Sequence, residues 1–377
     1  MDENKLENLL LRLTRSAIWA EEPSTEGFPL SEEEWYRLHF MAVKQTVHGI
    51  IYHVVCQLPE ALLPPGALLL QWMKEAQLIE QDYLNQVRTL GWLTSRIESE
   101  SSLTPIILKG LPLATLYPTP SLRYSGDIDV FYGSLARCLQ ANKLVEGWGI
   151  PVMGGGSENE YSFMLGHVEV EHHGHMILSH VPILRQRLMA WTEHHFSQPG
   201  ATRKVDVEGM TVSALAPRLD LVQLSSHSLK HILNVGIGLR QLCDITLFVN
   251  HYHEDLRQPG MREMLSRFGV RRWTDICLTY CVTYLGLPED RLPYPLKASR
   301  KRVESMHREV MRTGNFGHYD ERNLRRPESG AASKAFTARR ILRNAARYLT
   351  VSPLESVSSI IDLTMIRLGE LTNKTTK

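Results

Sequence analysis

The chain has 377 residues, 43% of them hydrophobic and 22% charged, an ordinary composition for a folded protein. At ~100–200 residues per domain this predicts two or three units, and it excludes an intrinsically disordered chain, a collagen-like chain and a disulfide-stapled miniprotein. Forty-two basic and 41 acidic side chains leave a net charge of +1, so a grip on long nucleic acid would need a local basic patch.

The amino terminus, MDENKLENLLLRL, is acidic and amphipathic, unlike a signal peptide. Ser31 and Glu34 have capping-box spacing, and Trp35, Leu38 and Ala42 follow with helical period. Pro59, Pro64, Pro65 and Gly66 break that segment. A second, long helix is predicted beyond them, with Trp72, Ala76, Ile79, Tyr83, Val87 and Leu90 forming one apolar stripe. After residue 100 the character changes. TPIILKG reads as a buried strand ended by Gly110, LPLATLY as a short helix, and SGDIDVFYG as a strand. SLARCLQANKLVEGWG is a helix, the glycine run at 153–159 a turn, and EYSFML with HVEVEHHGHM a hairpin. RKVDVEGMTVSAL is a further hairpin turning at Glu208-Gly209. SSHSLKHI, GLRQLCDITLFVNHY and 261–285 carry helical period, 324–336 is a polar loop, and Ser352, Pro353 and Glu355 suit the start of a last helix. The expected fold is therefore α+β: a helical region at 1–100, a small mixed-sheet core at 101–215, and a helical region at 216–377.

Five cysteines, at 56, 138, 243, 277 and 281, include no CxxC and read as small buried hydrophobes in a reducing compartment. No apolar run approaches the ~20 residues of a membrane span. A cytoplasmic location follows as the expectation.

The informative segment is Gly126-Asp127-Ile128-Asp129. Strand alternation puts Asp127 and Asp129 on one face, ~7 Å apart, and Ile128, Val130 and Tyr132 on the other. Two carboxylates on one buried face repel each other, and a hard divalent cation such as Mg²⁺, or Mn²⁺, relieves this. An edge strand with a solvated acidic face is the plainer alternative. The HVEVEHH strand adds Glu169, Glu171 and His173 on a shared face, so a third carboxylate can complete a metal platform for phosphoryl displacement. The Lys109-Gly110 turn before a helix can bring backbone N–H groups to phosphates, and Arg123 and Ser125 lie on the same approach.

Taken together, Lys109-Gly110, Tyr117-Pro118, Arg123, Gly126-Asp127-Ile128-Asp129, and Glu171 with His173 resemble an uncharacterised bacterial branch of the polymerase-β-like nucleotidyltransferases. The resemblance covers roughly residues 100–320. It implies Asp127, Asp129 and Glu171 as metal-holding catalytic residues, with Glu171 chosen over Glu169 by its spacing to His173. Lys109, Gly110, Arg123, Ser125 and Gly126 would bind the nucleotide, as would Lys230 if its helix lines the cleft. The wider superfamily has Gly-Ser or Gly-Gly at the turn where this chain has Gly110-Leu111, so phosphate capture falls to backbone amides, Lys109 or residues elsewhere. The implied reaction moves a nucleoside monophosphate from a nucleoside triphosphate to an acceptor. The alternative is a decayed nucleotide-binding or regulatory protein on the same scaffold.

Other residues carry plainer readings. His172 faces the apolar side and packs, whereas His173 can contact substrate. His227 and His231, at i and i+4, form a metal pair or take a solvated or capping role. Asp244 pairs with Arg240 at i−4. The basic stretch 297–312 is interrupted by Glu304 and Glu309, and Arg339, Arg343 and Arg347 share one face of a later helix. Residues 150–180 contain no lysine or arginine, a poor track for a phosphate backbone. The expected acceptor is a small molecule or a protein side chain, not a nucleic-acid polymer.

Overall fold

Helices α1 (Glu3–Trp19), α2 (Glu32–Lys44), α3 (His48–Val55) and α4 (Gly66–Glu100) come first in the computed structural model, which describes residues 3–155, 159–176, 182–315, 330–353 and 356–357. The capping box at α2 is formed: Ser31 Oγ accepts from the Glu34 N–H, and the Glu34 carboxylate accepts from the Ser31 N–H. Two otherwise orphaned donors are thereby satisfied. The stripe of α4 continues past Leu90 to Leu93 and Ile97, so this 35-residue helix is buried along its length on one side.

The sheet region follows: β1 (Ile106–Leu108), α5 (Leu111–Ala114), β2 (Ile128–Phe131), α6 (Leu135–Gly147), β3 (Met153–Gly154), β4 (Glu160–Leu165), β5 (Val168–His173), α7 (Pro182–Phe196), β6 (Thr202–Val207) and β7 (Met210–Leu215). Its seven strands run in the order β3-β4-β5-β2-β1-β7-β6. Both expected hairpins are antiparallel, while β2 pairs β5 and β1 pairs β7 in parallel. Strand β3 departs from the expectation, because Met153 and Gly154 pair with β4 where the glycine run reads as a turn. Gly154 has φ +108, and a Cβ there would lie 2.4 Å from the Glu160 carbonyl oxygen. Only glycine lets the two backbones approach so closely.

The chain then returns to helices: α8 (Pro217–Asn234), α9 (Leu239–His251), α10 (His253–Leu256), α11 (Met261–Arg267), α12 (Arg271–Leu285), α13 (Arg300–Thr313) and α14 (Gly330–Tyr348). Residues 316–329, positions 354 and 355, and the chain from 358 lie outside the described residues; they hold half of the polar loop and most of the last helix read from the sequence. Among the described residues, no helix is long and apolar enough to cross a membrane.

Two apolar clusters sandwich the sheet. One packs Ile107, Ile128, Val130 and Val170 against α4 and α6. The other joins Ile106, Leu108 and Phe131 to residues running from Leu9 to Val351, so the amino- and carboxy-terminal helices share one core. Hydrogen bonds tie them as well: Trp19 Nε1 donates to the Leu285 carbonyl at 2.7 Å, and Gln45 Nε2 to the Val310 carbonyl at 2.9 Å. Strand alternation thus places Asp129 on the α8 side of the sheet.

His172 packs as expected from its place on the apolar face. Its Nδ1–H donates to Asn142 Oδ1 at 2.8 Å, which leaves Nε2 to accept from the Tyr132 hydroxyl at 2.8 Å. Burial, and then the neighbouring His173, hold its pKa down at about 3. Below pH ~6.5 the unfolded chain therefore binds a proton that the native chain refuses, and native stability falls with pH. This one residue is expected to cost about 2 kcal/mol between pH 7 and pH 5. Urea denaturation should show a shallower pH slope over that range for His172→Gln than for the parent; equal slopes would contradict the assignment.

Candidate active site

Strand β1 ends in a turn with two unusual backbone angles, φ +48 at Lys109 and φ +62 with ψ −122 at Gly110. The second is open to glycine and strained for any residue with a Cβ. The first costs a lysine ~1–2 kcal/mol and folds its side chain back over the sheet. Lys109 Nζ lies 2.7 Å from Asp129 Oδ2 and 3.9 Å from Asp127 Oδ2. The short contact is an ion pair without hydrogen-bond alignment, so the buried Oδ2 has no hydrogen-bond partner. Asp129 is 1% exposed and Asp127, just before β2, 36%. Leu111 points away from both, buried in the cluster under α4.

The parallel pairing of β2 with β5 sets Asp129 beside Glu171 and Phe131 beside His173. His173 Nε2 is 2.7 Å from Asp129 Oδ1 and 3.6 Å from Glu171 Oε2. Ligand atoms of Asp129, Glu171 and His173 lie within 4.8 Å of one another. Glu169, one pleat earlier on the same face, is exposed and stands outside this group.

The charges are not balanced. Burial raises the Asp129 carboxyl, but Lys109 and then His173 outweigh it and hold the group at about 2. Burial, then the Asp129 and Asp127 carboxylates, push Glu171 up to about 7. Three carboxylates that converge on one cavity make a cation favourable there. The donor set fits one: carboxylate oxygens suit Mg²⁺ or Mn²⁺, and Mn²⁺ also tolerates the imidazole.

These groups line a cavity of about 260 Å³ that α8 closes with His227, Lys230 and His231. Lys230 reaches Glu160 Oε1 at 3.1 Å, and Glu160 is paired across the β4–β5 hairpin with His173. The hairpin register could have revealed Glu160, which the motif reading missed. His227 and His231 hold their Nε2 atoms 3.0 Å apart. Burial and the Lys109 charge keep both neutral, His231 down to about 3. They are therefore a hydrogen-bonded pair facing the cavity, not a solvated one.

Arg123 lines a smaller cavity with Lys109, Ser125 and Gly126, but its fork is spent on a protein carboxylate. Its Nε and Nη2 donate to the two carboxylate oxygens of Asp244, each at 2.7 Å, and Nη1 donates to Ser125 Oγ at 2.7 Å. The Tyr117 hydroxyl donates to Asp244 Oδ1 at 2.8 Å. Asp244 is thus partnered by Arg123 rather than by Arg240. It is buried against the 117–125 segment, where only Arg123 offers a fork that matches a carboxylate. Gly126, next in that segment, accepts from Gln86 Nε2 through its carbonyl at 2.8 Å. Arg123→Ala should destabilise the fold by about 3–5 kcal/mol, since it strands a buried carboxylate. Chemical denaturation of that variant would test this; full stability with weaker ligand binding would instead make Arg123 a substrate contact.

The family described as uncharacterised nucleotidyltransferase matches residues 31–286, more than half of the chain and the whole sheet region. No curated protein matches. Among solved structures, an antigenic nucleotidyltransferase-like protein from Paracoccidioides brasiliensis aligns over 60% of this chain and 93% of its own, with 14% identity and a TM-score of 0.35. The chain belongs to the uncharacterised nucleotidyltransferase family.

Proposed function

We propose that this member of the family transfers a nucleoside monophosphate from a nucleoside triphosphate to a small-molecule or protein acceptor, as a polymerase-β-like enzyme. The observation that carries this reading is the registered pair Asp129 and Glu171, side by side on parallel strands, with Asp127 and the Lys109-Gly110 turn at the same cavity. An acceptor oxygen attacks the α-phosphorus, pyrophosphate leaves, and the acceptor's proton must go to a base. Glu171, beside Asp129 on the neighbouring strand, would take that proton. Asp127, Asp129 and Glu171 would hold Mg²⁺ or Mn²⁺, which when bound offsets triphosphate charge and acidifies the acceptor hydroxyl. Lys109 would meet the incoming phosphates with the Gly110 turn beside it, and Lys230 would add positive charge on the α8 wall. Leu111 adds no bulk to the cavity, so its departure from the superfamily pattern removes a hydroxyl without blocking the turn.

A cavity of about 260 Å³ lies at the small end of ligand sites, which suits a compact acceptor. Its β4–β5 wall brings Glu160, Glu171 and His173 and no lysine or arginine, a surface that repels a phosphate backbone. The free cysteines, four of the five buried, fit a reducing, cytoplasmic setting.

Calorimetry with Mn²⁺ and each nucleoside triphosphate tests the assignment. The parent should bind metal and nucleotide cooperatively, and Asp127→Asn with Asp129→Asn should abolish that coupling; a double variant that binds both as the parent does would falsify it. Glu171→Gln should lower turnover at least a hundredfold while Glu169→Gln changes it little. Tight binding with no transfer to any acceptor would instead indicate a regulatory nucleotide-binding protein.

Lys109 occupies the place of a counter-ion for Asp129, so it competes with a metal there. Lys109→Met should bind Mn²⁺ alone on the order of tenfold more tightly than the parent, a gain of ~1.4 kcal/mol, and bind nucleotide more weakly. Electron paramagnetic resonance of free Mn²⁺ reads the first effect directly. Weaker Mn²⁺ binding in the variant would show that the lysine supports the metal site rather than guarding it.

A further inference from the structure

A second cavity, of about 70 Å³, adjoins the first and shares Lys109, Asp127 and Asp129 with it. Its wall carries three cations. Lys109 is paired with Asp129 and Arg123 with Asp244, each at 2.7 Å. Arg240, near the start of α9, has no carboxylate partner among the described residues. Its Nη1 donates to the Tyr124 carbonyl oxygen at 3.4 Å, a long contact, and its Nε is buried with no acceptor. Asp244, one turn further along the same helix, attracts Arg240 through space, but its two oxygens take their hydrogen bonds from Arg123 and Tyr117.

A guanidinium presents five donors in a fixed fork and keeps its charge, so burying it half-satisfied is costly. Burial, and then the neighbouring Arg123, accordingly hold the Arg240 pKa below its usual value. Such a group is stabilised by an anion that supplies both charge and planar acceptors. Two amide donors at the start of α9 are already engaged: Leu239 N–H donates to Gln45 Oε1 at 2.9 Å and Gly238 N–H to Gln241 Oε1 at 3.0 Å. Attraction for an anion here therefore comes from the Arg240 side chain, with the Ser125 hydroxyl and the glycines of the 110 and 126 turns leaving room beside it.

We propose that this smaller cavity is a phosphate subsite and that Arg240, rather than Arg123, grips a phosphoryl group of the nucleotide. The assignment rests on the nucleotidyl-transfer reading above and specifies it. Arg123 acts as a positioning residue: its fork on Asp244 fixes the helix turn that carries Arg240. Phosphate held by Arg240 lies against the wall formed by Lys109 and Asp127, next to the carboxylate cluster.

Full-length parent, Arg240→Ala and Arg240→Lys are titrated with inorganic tripolyphosphate and with a nucleoside triphosphate in Ca²⁺, alongside Mn²⁺ binding and thermal unfolding. Arg240→Ala should bind both phosphate ligands at least tenfold more weakly, and Arg240→Lys should fall between, keeping charge but losing the fork. Mn²⁺ affinity should be unchanged, and the unfolding midpoint equal or higher, since a half-buried charge without a carboxylate partner is removed. If Arg240→Ala binds tripolyphosphate as tightly as the parent, the subsite is wrong and the nucleotidyl-transfer reading stands. A lowered midpoint with lost Mn²⁺ binding would mark Arg240 as structural and overturn the subsite as well. A parent that binds neither ligand would overturn the subsite together with the reading beneath it.

Discussion

Asp129 is a carboxylate in the middle of a sheet, covered on one side by helices and sealed from water. It can remain ionised there only because a positive group is held against it. Lys109 supplies that charge, and the surrounding architecture follows from the requirement. The left-handed turn at 109 and 110 aims the ammonium, β1 and β2 bring the two residues level, and β5 adds His173 from the far side. Burial, and then the Asp129 and Asp127 carboxylates, lift Glu171 out of the usual carboxylate range. A site poised between a protein cation and a solution cation is one that can exchange them.

Local patterns were legible in the sequence, and distant partnerships were not. Ser31 with Glu34, the stripe of α4, and the two hairpins are contacts within a few turns or across one short loop, where periodicity and cap chemistry decide the outcome. The D-x-D strand and the glutamate two before His173 were found by motif, and strand register explains why they converge. Arg123 was read as a phosphate contact because it stands beside the aspartates in sequence. Its partner is 121 residues away on α9, and nothing local to either residue signals the other. Met153 and Gly154 were lost for the opposite reason, since a glycine run reads as a turn when its partner strand is not considered.

The helical regions do more than flank the sheet. Helix α8 closes the cavity with a lysine and two neutral histidines, and α9 carries the acid that anchors Arg123. The sheet supplies the carboxylates, and these helices supply most of the groups that face them. Changes in α8 and α9 would therefore alter the groups that face the carboxylates without moving the strands that hold them.

Gln45 makes this arrangement depend on the order in which the chain is made. Its side-chain amide donates to the Val310 carbonyl, 265 residues later, and accepts from the Leu239 N–H at the start of α9. On the ribosome, α1 to α3 leave the exit tunnel long before either partner exists. At about 5–20 residues per second, roughly ten to fifty seconds pass before α13 can follow. During that interval the apolar faces of α1 to α3 have only one another and α4 to pack against, and the part of the core that they share with α12 and α13 waits for the end of the chain.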